Sequence, residues 1–197
     1  MQTTLIVVFS YLVGSISTAV LVSRLMALPD PRTGGSGNPG ATNVLRLGGK
    51  KAGALTLLGD VLKGVLPVLI AKQVSDSDAV VVGAAVAAFL GHLYPVFLSF
   101  KGGKGAATAL GVVAALSWPV GLAISATWLL VAAVSRYSSL ASILAALTAP
   151  LYATWIGQSI AVVLGMIVMS ALLIMRHQAN IARLVAGNES KIGASSS

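Results

Sequence analysis

The chain has 197 residues, 56% of them hydrophobic and 9% charged, with a mean hydropathy of +0.92; that balance excludes an ordinary soluble domain and places the chain in a bilayer. Cysteine is absent, which excludes disulfides, thiolate metal sites and a cysteine nucleophile. With two histidines and five carboxylates no metal or other cofactor is expected, and a net charge of +8 with few aromatics speaks for membrane topology and anionic ligands rather than nucleic acid.

A spanning helix needs about 20 apolar residues to cross roughly 30 Å of hydrocarbon. No charge precedes Arg24, so residues 4–28 read as a first span with its N-terminus outside rather than a cleaved signal. Further apolar runs cover 52–71, 79–98, 105–136 and 137–175. The last two need dividing. Crossing twice keeps Lys104 and Arg136 on one face, with Ser117-Trp118-Pro119 as the break; the second long run divides near Trp155 to Gln158. The expectation is an all-α polytopic protein, one domain over residues 1–197, with seven transmembrane helices, an outer N-terminus and a cytoplasmic C-terminus. Every loop rich in Gly, Asn, Lys or Arg then falls on the inner face, and Lys72 alone among the loop cations lies outside. Asp60 and Lys63, three residues apart in the second span, are neighbours on a helix and read as an intrahelical ion pair. His92, three residues before Pro95, is expected to satisfy backbone groups that the proline frees.

The first inner loop, "PRTGGSGNPGATNVLRLGGKK", carries G-x-G-x-x-G at Gly35, Gly37 and Gly40. A dinucleotide turn needs a strand before it and an acidic partner about 20 residues on, and a membrane span precedes this one. The glycines with Ser36, Asn38, Thr42, Asn43 and Arg46 suit phosphate instead. In "FLSFKGGKGAATAL" only Gly103-Lys104 matches a Walker A loop. Lys101, Gly102, Gly103, Lys104, Gly105 and Thr108 are expected to form an anion site at a helix N-terminus. A third polar patch joins "SRYSSLAS" to "MRHQANIARLVAGNESK", where Arg176, Asn180 and Arg183 share a helical stripe and His177 lies three residues before Asn180. The plain reading of that basic stripe is a helix end snorkelling to the interface.

Two phosphate-sized loops on one membrane face suggest an enzyme joining a soluble phosphorylated molecule to a lipid-borne one. A transporter is the alternative, but transporters place their ligand groups near the midplane in paired repeats, and the glycine motifs are not repeated in the other half of the chain.

"GSGNPGATNVLR" (35–46), "GHLYPVFLSFKGGKGAAT" (91–108), "SSLAS" (138–142) and "RHQANIARLVAGNE" (176–189) resemble, in order, the signature segments of the bacterial PlsY family, the acyl-phosphate:glycerol-3-phosphate acyltransferases. Asp60-Val-Leu-Lys63-Gly64 fits as well. The resemblance implies transfer of a fatty acyl group from acyl phosphate to the 1-hydroxyl of sn-glycerol 3-phosphate, giving lysophosphatidic acid and phosphate in the inner membrane, with the active site on the cytoplasmic face. It implies catalytic roles for Ser36, Lys104, His177 and Asn180, and supporting roles for Asp60, Lys63, Ser142 and Glu189. Arg46 reads as a clamp on glycerol phosphate and the 102–105 loop as the acyl-phosphate site, although which glycine loop holds which phosphate is left open. The implied partners are the two substrates, membrane lipid and the enzyme that forms acyl phosphate. The H-x-x-x-x-D signature of thioester-using acyltransferases is missing, since Phe97 and Ala182 stand where the Asp would follow His92 and His177. Direct attack by the substrate hydroxyl is therefore expected, its proton passing to His177 or to a substrate phosphate.

Overall fold

The computed structural model describes residues 1–193, and among them every regular element is helical. In chain order these are α1 (Gln2–Gly14), α2 (Thr18–Leu25), α3 (Ala41–Val74), α4 (Asp78–Leu93), a short 3-10 turn (Val96–Leu98), α5 (Ala106–Leu116), α6 (Trp118–Ser135), α7 (Ser138–Trp155), α8 (Ile160–Arg176) and α9 (Gln178–Val185). Both long apolar runs divide where the sequence places the breaks. Ser117 ends α5 and begins α6, with Pro119 in the first turn of α6 where its missing N–H costs nothing. Ile156 ends α7, and the Ser159 hydroxyl accepts from the Val162 N–H to start α8.

Two expectations change. The first apolar run is not one helix: α1 and α2 meet at a bend of 41°. The Ser17 hydroxyl caps a new helix by accepting from the Val20 N–H, and the Ile16 carbonyl that the break frees accepts a hydrogen bond from Lys63 Nζ at 2.8 Å. The first polar loop is shorter than expected, because α3 starts at Ala41 and kinks at Gly49. Arg46 therefore projects from a helix, one turn after Thr42 on the same face.

Helices α3 and α6, and α4 continued through the 3-10 turn to Leu98, are long and apolar enough to cross a bilayer, and the bent pairs α1 with α2 and α8 with α9 raise the number to five. At the centre α4 packs against α1, α3, α5 and α8. Its contact with α1 is close because both sides are glycine: a Cβ at Gly14 would lie 2.0 Å from the Ala88 carbonyl oxygen, and one at Gly91 2.3 Å from that of Tyr11. Phe89, Leu93, Val112 and Met166 are fully buried in the resulting core. Apolar side chains such as Leu130 (67% exposed) and Val134 (79%) cover the outside, as lipid contact requires.

Candidate active site

The polar segments converge at one end of the bundle, each fixed by a different device. In the first, buried Asn43 collects the glycine loop around itself. Its Oδ1 accepts from the Ser36 N–H at 2.9 Å, and its Nδ2 donates to the Pro31 carbonyl at 2.8 Å and the Gly34 carbonyl at 3.0 Å. Gly35 has φ +60, and a Cβ there would fall 2.2 Å from Asn43 Oδ1, so the turn admits glycine alone. The side-chain amide of Asn43 is thereby engaged in holding the loop, and the residue also lines the cavity. Ser36, Asn38, Thr42 and Arg46 line a cavity, and Thr42 Oγ1 lies 3.3 Å from Ser138 Oγ on α7.

The second loop is held from both sides. The Gly103 N–H donates to the His92 carbonyl at 3.2 Å, while Arg176 donates from Nη2 to the Gly102 carbonyl at 2.9 Å and from Nε to that of Gly103 at 3.2 Å. The Arg176 guanidinium also lies over the Tyr94 ring, 5.6 Å from its centroid. Of residues 101–105, Lys104 and Gly105 reach the cavity. Gly103 has spent its N–H on the His92 carbonyl, Gly102 turns its carbonyl to Arg176, and Lys101 is exposed outside the cavity lining. Thr108 is fully buried against His92, Oγ1 to Nδ1 at 3.1 Å, and does not line the cavity.

The third device is the turn between α8 and α9. His177 caps both helices, and its Nδ1 lies 2.8 Å from the Leu173 carbonyl. A carbonyl only accepts, so Nδ1 carries the proton and Nε2 keeps its lone pair. Asn180 bridges charges of opposite sign: Oδ1 accepts from Lys104 Nζ, and Nδ2 donates to Glu189 Oε1 at 2.6 Å. Ser139 donates to the same Glu189 oxygen at 2.7 Å, and Arg183 Nε to Oε2 at 2.7 Å. Ser142 Oγ donates to the Ser138 carbonyl at 2.8 Å and accepts from Trp128 Nε1 at 3.1 Å, tying α7 to α6.

Charge follows from this packing. Burial lowers the Lys104 pKa below the ordinary lysine value, Arg183, Arg176 and Arg46 push it the same way, and Glu189 opposes them. Burial also lowers that of His177, against the hydrogen bond to Leu173, and keeps the imidazole neutral. Burial alone would raise Glu189; hydrogen bonds from Ser139, Asn180 and Arg183 outweigh it and hold the carboxylate ionised. Lys104, Arg46 and Arg183 thus share one cavity with two carboxylates, of which Asp60 is taken up by Lys63 and Glu189 by Arg183. Partly desolvated surplus cations repel one another until an anion enters.

The cavity holds about 610 Å³. Beyond its cationic end it continues as an apolar trough between α5, α6, α7 and α8, past Leu110, Ile124, Ala146 and Met169. A ligand that fills it has an anionic head and a hydrocarbon tail.

The glycerol-3-phosphate acyltransferase family model matches residues 4–187. A glycerol-3-phosphate acyltransferase of Methylococcus capsulatus is 56% identical over 96% of both chains, and one of Nitrosomonas eutropha is 52% identical over 98% of this chain and 99% of its own. The chain belongs to the glycerol-3-phosphate acyltransferase family. The fold agrees with crystal structures of PlsY, an integral membrane glycerol 3-phosphate acyltransferase: its glycerol 3-phosphate form has a TM-score of 0.94 at 46% identity, covering 98% of this chain and 96% of that one, and its lysophosphatidic acid form a TM-score of 0.90 at 45%. This acyltransferase is therefore a PlsY-type enzyme of phospholipid synthesis and a multi-pass membrane protein.

In the cavity wall of the acyltransferase, where Asp60 and His92 join the lining, lies a polar network that sequence reasoning saw only in part. Asp60 and Lys63 form the expected i, i+3 ion pair at 2.8 Å, both buried. Asp60 also accepts from Thr18 Oγ1 and lies 3.6 Å from His92 Nδ1. The His92 ring thus faces Asp60 and Thr108 instead of carbonyls freed by Pro95, and its own carbonyl anchors Gly103. Arg176 does not snorkel; it clamps the glycine loop. Spacing could not reveal either contact, because each joins residues far apart in the chain.

Proposed function

We propose that the acyltransferase moves a fatty acyl group from acyl phosphate to the 1-hydroxyl of sn-glycerol 3-phosphate, releasing lysophosphatidic acid and inorganic phosphate. The observation that carries this reading is the union, in one cavity, of an under-compensated cationic end with an apolar trough. Arg46 and Arg183 take the glycerol phosphate, with Asn38, Thr42 and Ser36 at the mouth; Lys104 and the Gly105 end of α5 face the acyl phosphate, and the trough takes its chain. The glycerol oxygen attacks the acyl carbonyl carbon while its proton passes to His177 Nε2, and Lys104 offsets charge on the tetrahedral intermediate. Collapse breaks the acyl–phosphate bond, and phosphate leaves with the electron pair. The mixed anhydride is already activated, so orientation of the two substrates supplies much of the rate, up to about 7–11 kcal/mol in favourable cases. Ser36 orients substrate, and Asn180, Ser142 and Glu189 hold the charged groups in place.

Seven crossings support that chemistry: α1 with α2, then α3 to α8 singly, with the N-terminus outside and the site on the cytoplasmic face of a bacterial inner membrane. The enzyme that makes acyl phosphate is the natural neighbour at that face. Purified protein in lipid, given acyl phosphate and glycerol 3-phosphate, should release lysophosphatidate and phosphate in equal amounts and give none with acyl-CoA. Turnover of acyl-CoA alone, or an acylated Ser36, would overturn the reading.

A further inference from the structure

The cavity lining ends on the four trough helices at Val113 on α5, Ile124 on α6, Ala149 on α7 and Met166 on α8. All four are buried. One turn further on, Leu116, Val120, Ala153 and Val162 are buried as well but take no part in the lining. The trough therefore ends against packed core.

Two helices give the same depth. Met166 lies three turns before His177 on α8, and Ala149 three turns after Ser138 on α7, so the floor stands about 16 Å below the polar end. With carbon–carbon bonds near 1.5 Å laid in a zigzag, that depth corresponds to about a dozen methylenes.

We infer that Ala149 and Met166 form a floor that measures the acyl chain of the donor. Ala149 is the smallest of the four floor residues, so it sets how far the end methyl reaches, and Met166 is the flexible side chain that closes the remaining space. A chain that meets the floor fills the trough; one more methylene must bend or displace close-packed side chains. This rests on the acyl-phosphate reading above.

The test uses the full-length protein in lipid with a graded series of saturated acyl phosphates. Ala149→Leu should move the kcat/KM optimum to chains shorter by about two or three methylenes, with each methylene beyond the new floor costing about tenfold. Met166→Ala should move it the other way, and Ala149→Val covers the case in which leucine does not fold. Opposite displacements in the shortened and deepened variants support the floor. An unchanged length profile in an active variant, or an equal loss for every donor, overturns it. Failure of the wild type to use any acyl phosphate sinks the donor assignment instead, so the two failures are distinct.

Discussion

The proposed mechanism sets opposite protonation demands on His177 and Lys104, which share one cavity. The imidazole must be neutral to accept a proton, and burial keeps it so by holding its pKa below 6.5; the ammonium must be charged, and burial with three neighbouring cations lowers its pKa from 10.5. In the free enzyme kcat/KM should fall on the acid side only below the ordinary histidine range, as His177 gains a proton. On the alkaline side it should fall before the ordinary lysine range, as Lys104 loses one. The pH profile checks both limbs, with the titration of the substrate phosphates measured separately and divided out. Limbs at ordinary histidine and lysine values would contradict the burial argument. Arg46 lacks an ion pair among the described residues, so its charge is available to a ligand. Arg46→Ala should weaken use of glycerol 3-phosphate by about 10- to 100-fold, the loss of a charge-assisted hydrogen bond worth about 1.5–3 kcal/mol. Steady-state kinetics with glycerol 3-phosphate varied measures it, and unchanged kinetics would remove Arg46 from the site.

At the scale of elements, the break between α1 and α2 and the ion pair on α3 depend on each other. Lys63 neutralises Asp60 and satisfies the Ile16 carbonyl, while Asp60 also receives Thr18 at the start of α2. Lys63→Met should lower stability by about 3–5 kcal/mol, because it strands a buried carboxylate, and the double variant Asp60→Asn with Lys63→Met should recover part of that loss. Thermal unfolding in detergent of Asp60→Asn, Lys63→Met and the double variant reads the cycle; a double-variant loss equal to the sum of the two single losses would show that the pair is not coupled. The two hidden breaks were legible because Ser, Pro and Trp interrupt uncharged runs at Ser117-Trp118-Pro119 and Trp155 to Gln158; the start of α3 at Ala41 was not. The bend after Gly14 was not, because Ser15-Ile16-Ser17 is short and apolar enough to continue a helix; Lys63, 47 residues away, stabilises the freed carbonyl. The site followed the same division. Glycine, amide and cation positions announced a phosphate-binding end, but nothing local separates Arg46, open to the cavity, from Arg176, spent on the Gly102 and Gly103 carbonyls.

For the molecule as a whole, charge sorts the two ends. Lys104, Arg46 and Arg183 gather at one, and Lys72 at the other, where its Nζ donates to the Ala115 and Leu116 carbonyls at the end of α5. In the proposed orientation the first end faces the cytoplasm, as the positive-inside rule expects. Because the sequence has no cysteine, single replacements report topology without background. Ala186→Cys should react with an impermeant maleimide in inside-out vesicles, and Asp76→Cys in right-side-out ones; the reverse pattern would invert the proposed orientation. The buried Asp60–Lys63 pair also bears on how the chain enters the membrane. Each of those residues at a helix centre disfavours insertion by about 2.5–3.5 kcal/mol when the helix stands alone. Their partners Thr18 and Ile16 precede them in the chain, so they have already been synthesised when α3 emerges. Insertion of α3 then becomes favourable as a hairpin with α1 and α2, and a ribosome-bound chain lacking the first two helices should leave α3 stranded at the translocation machinery.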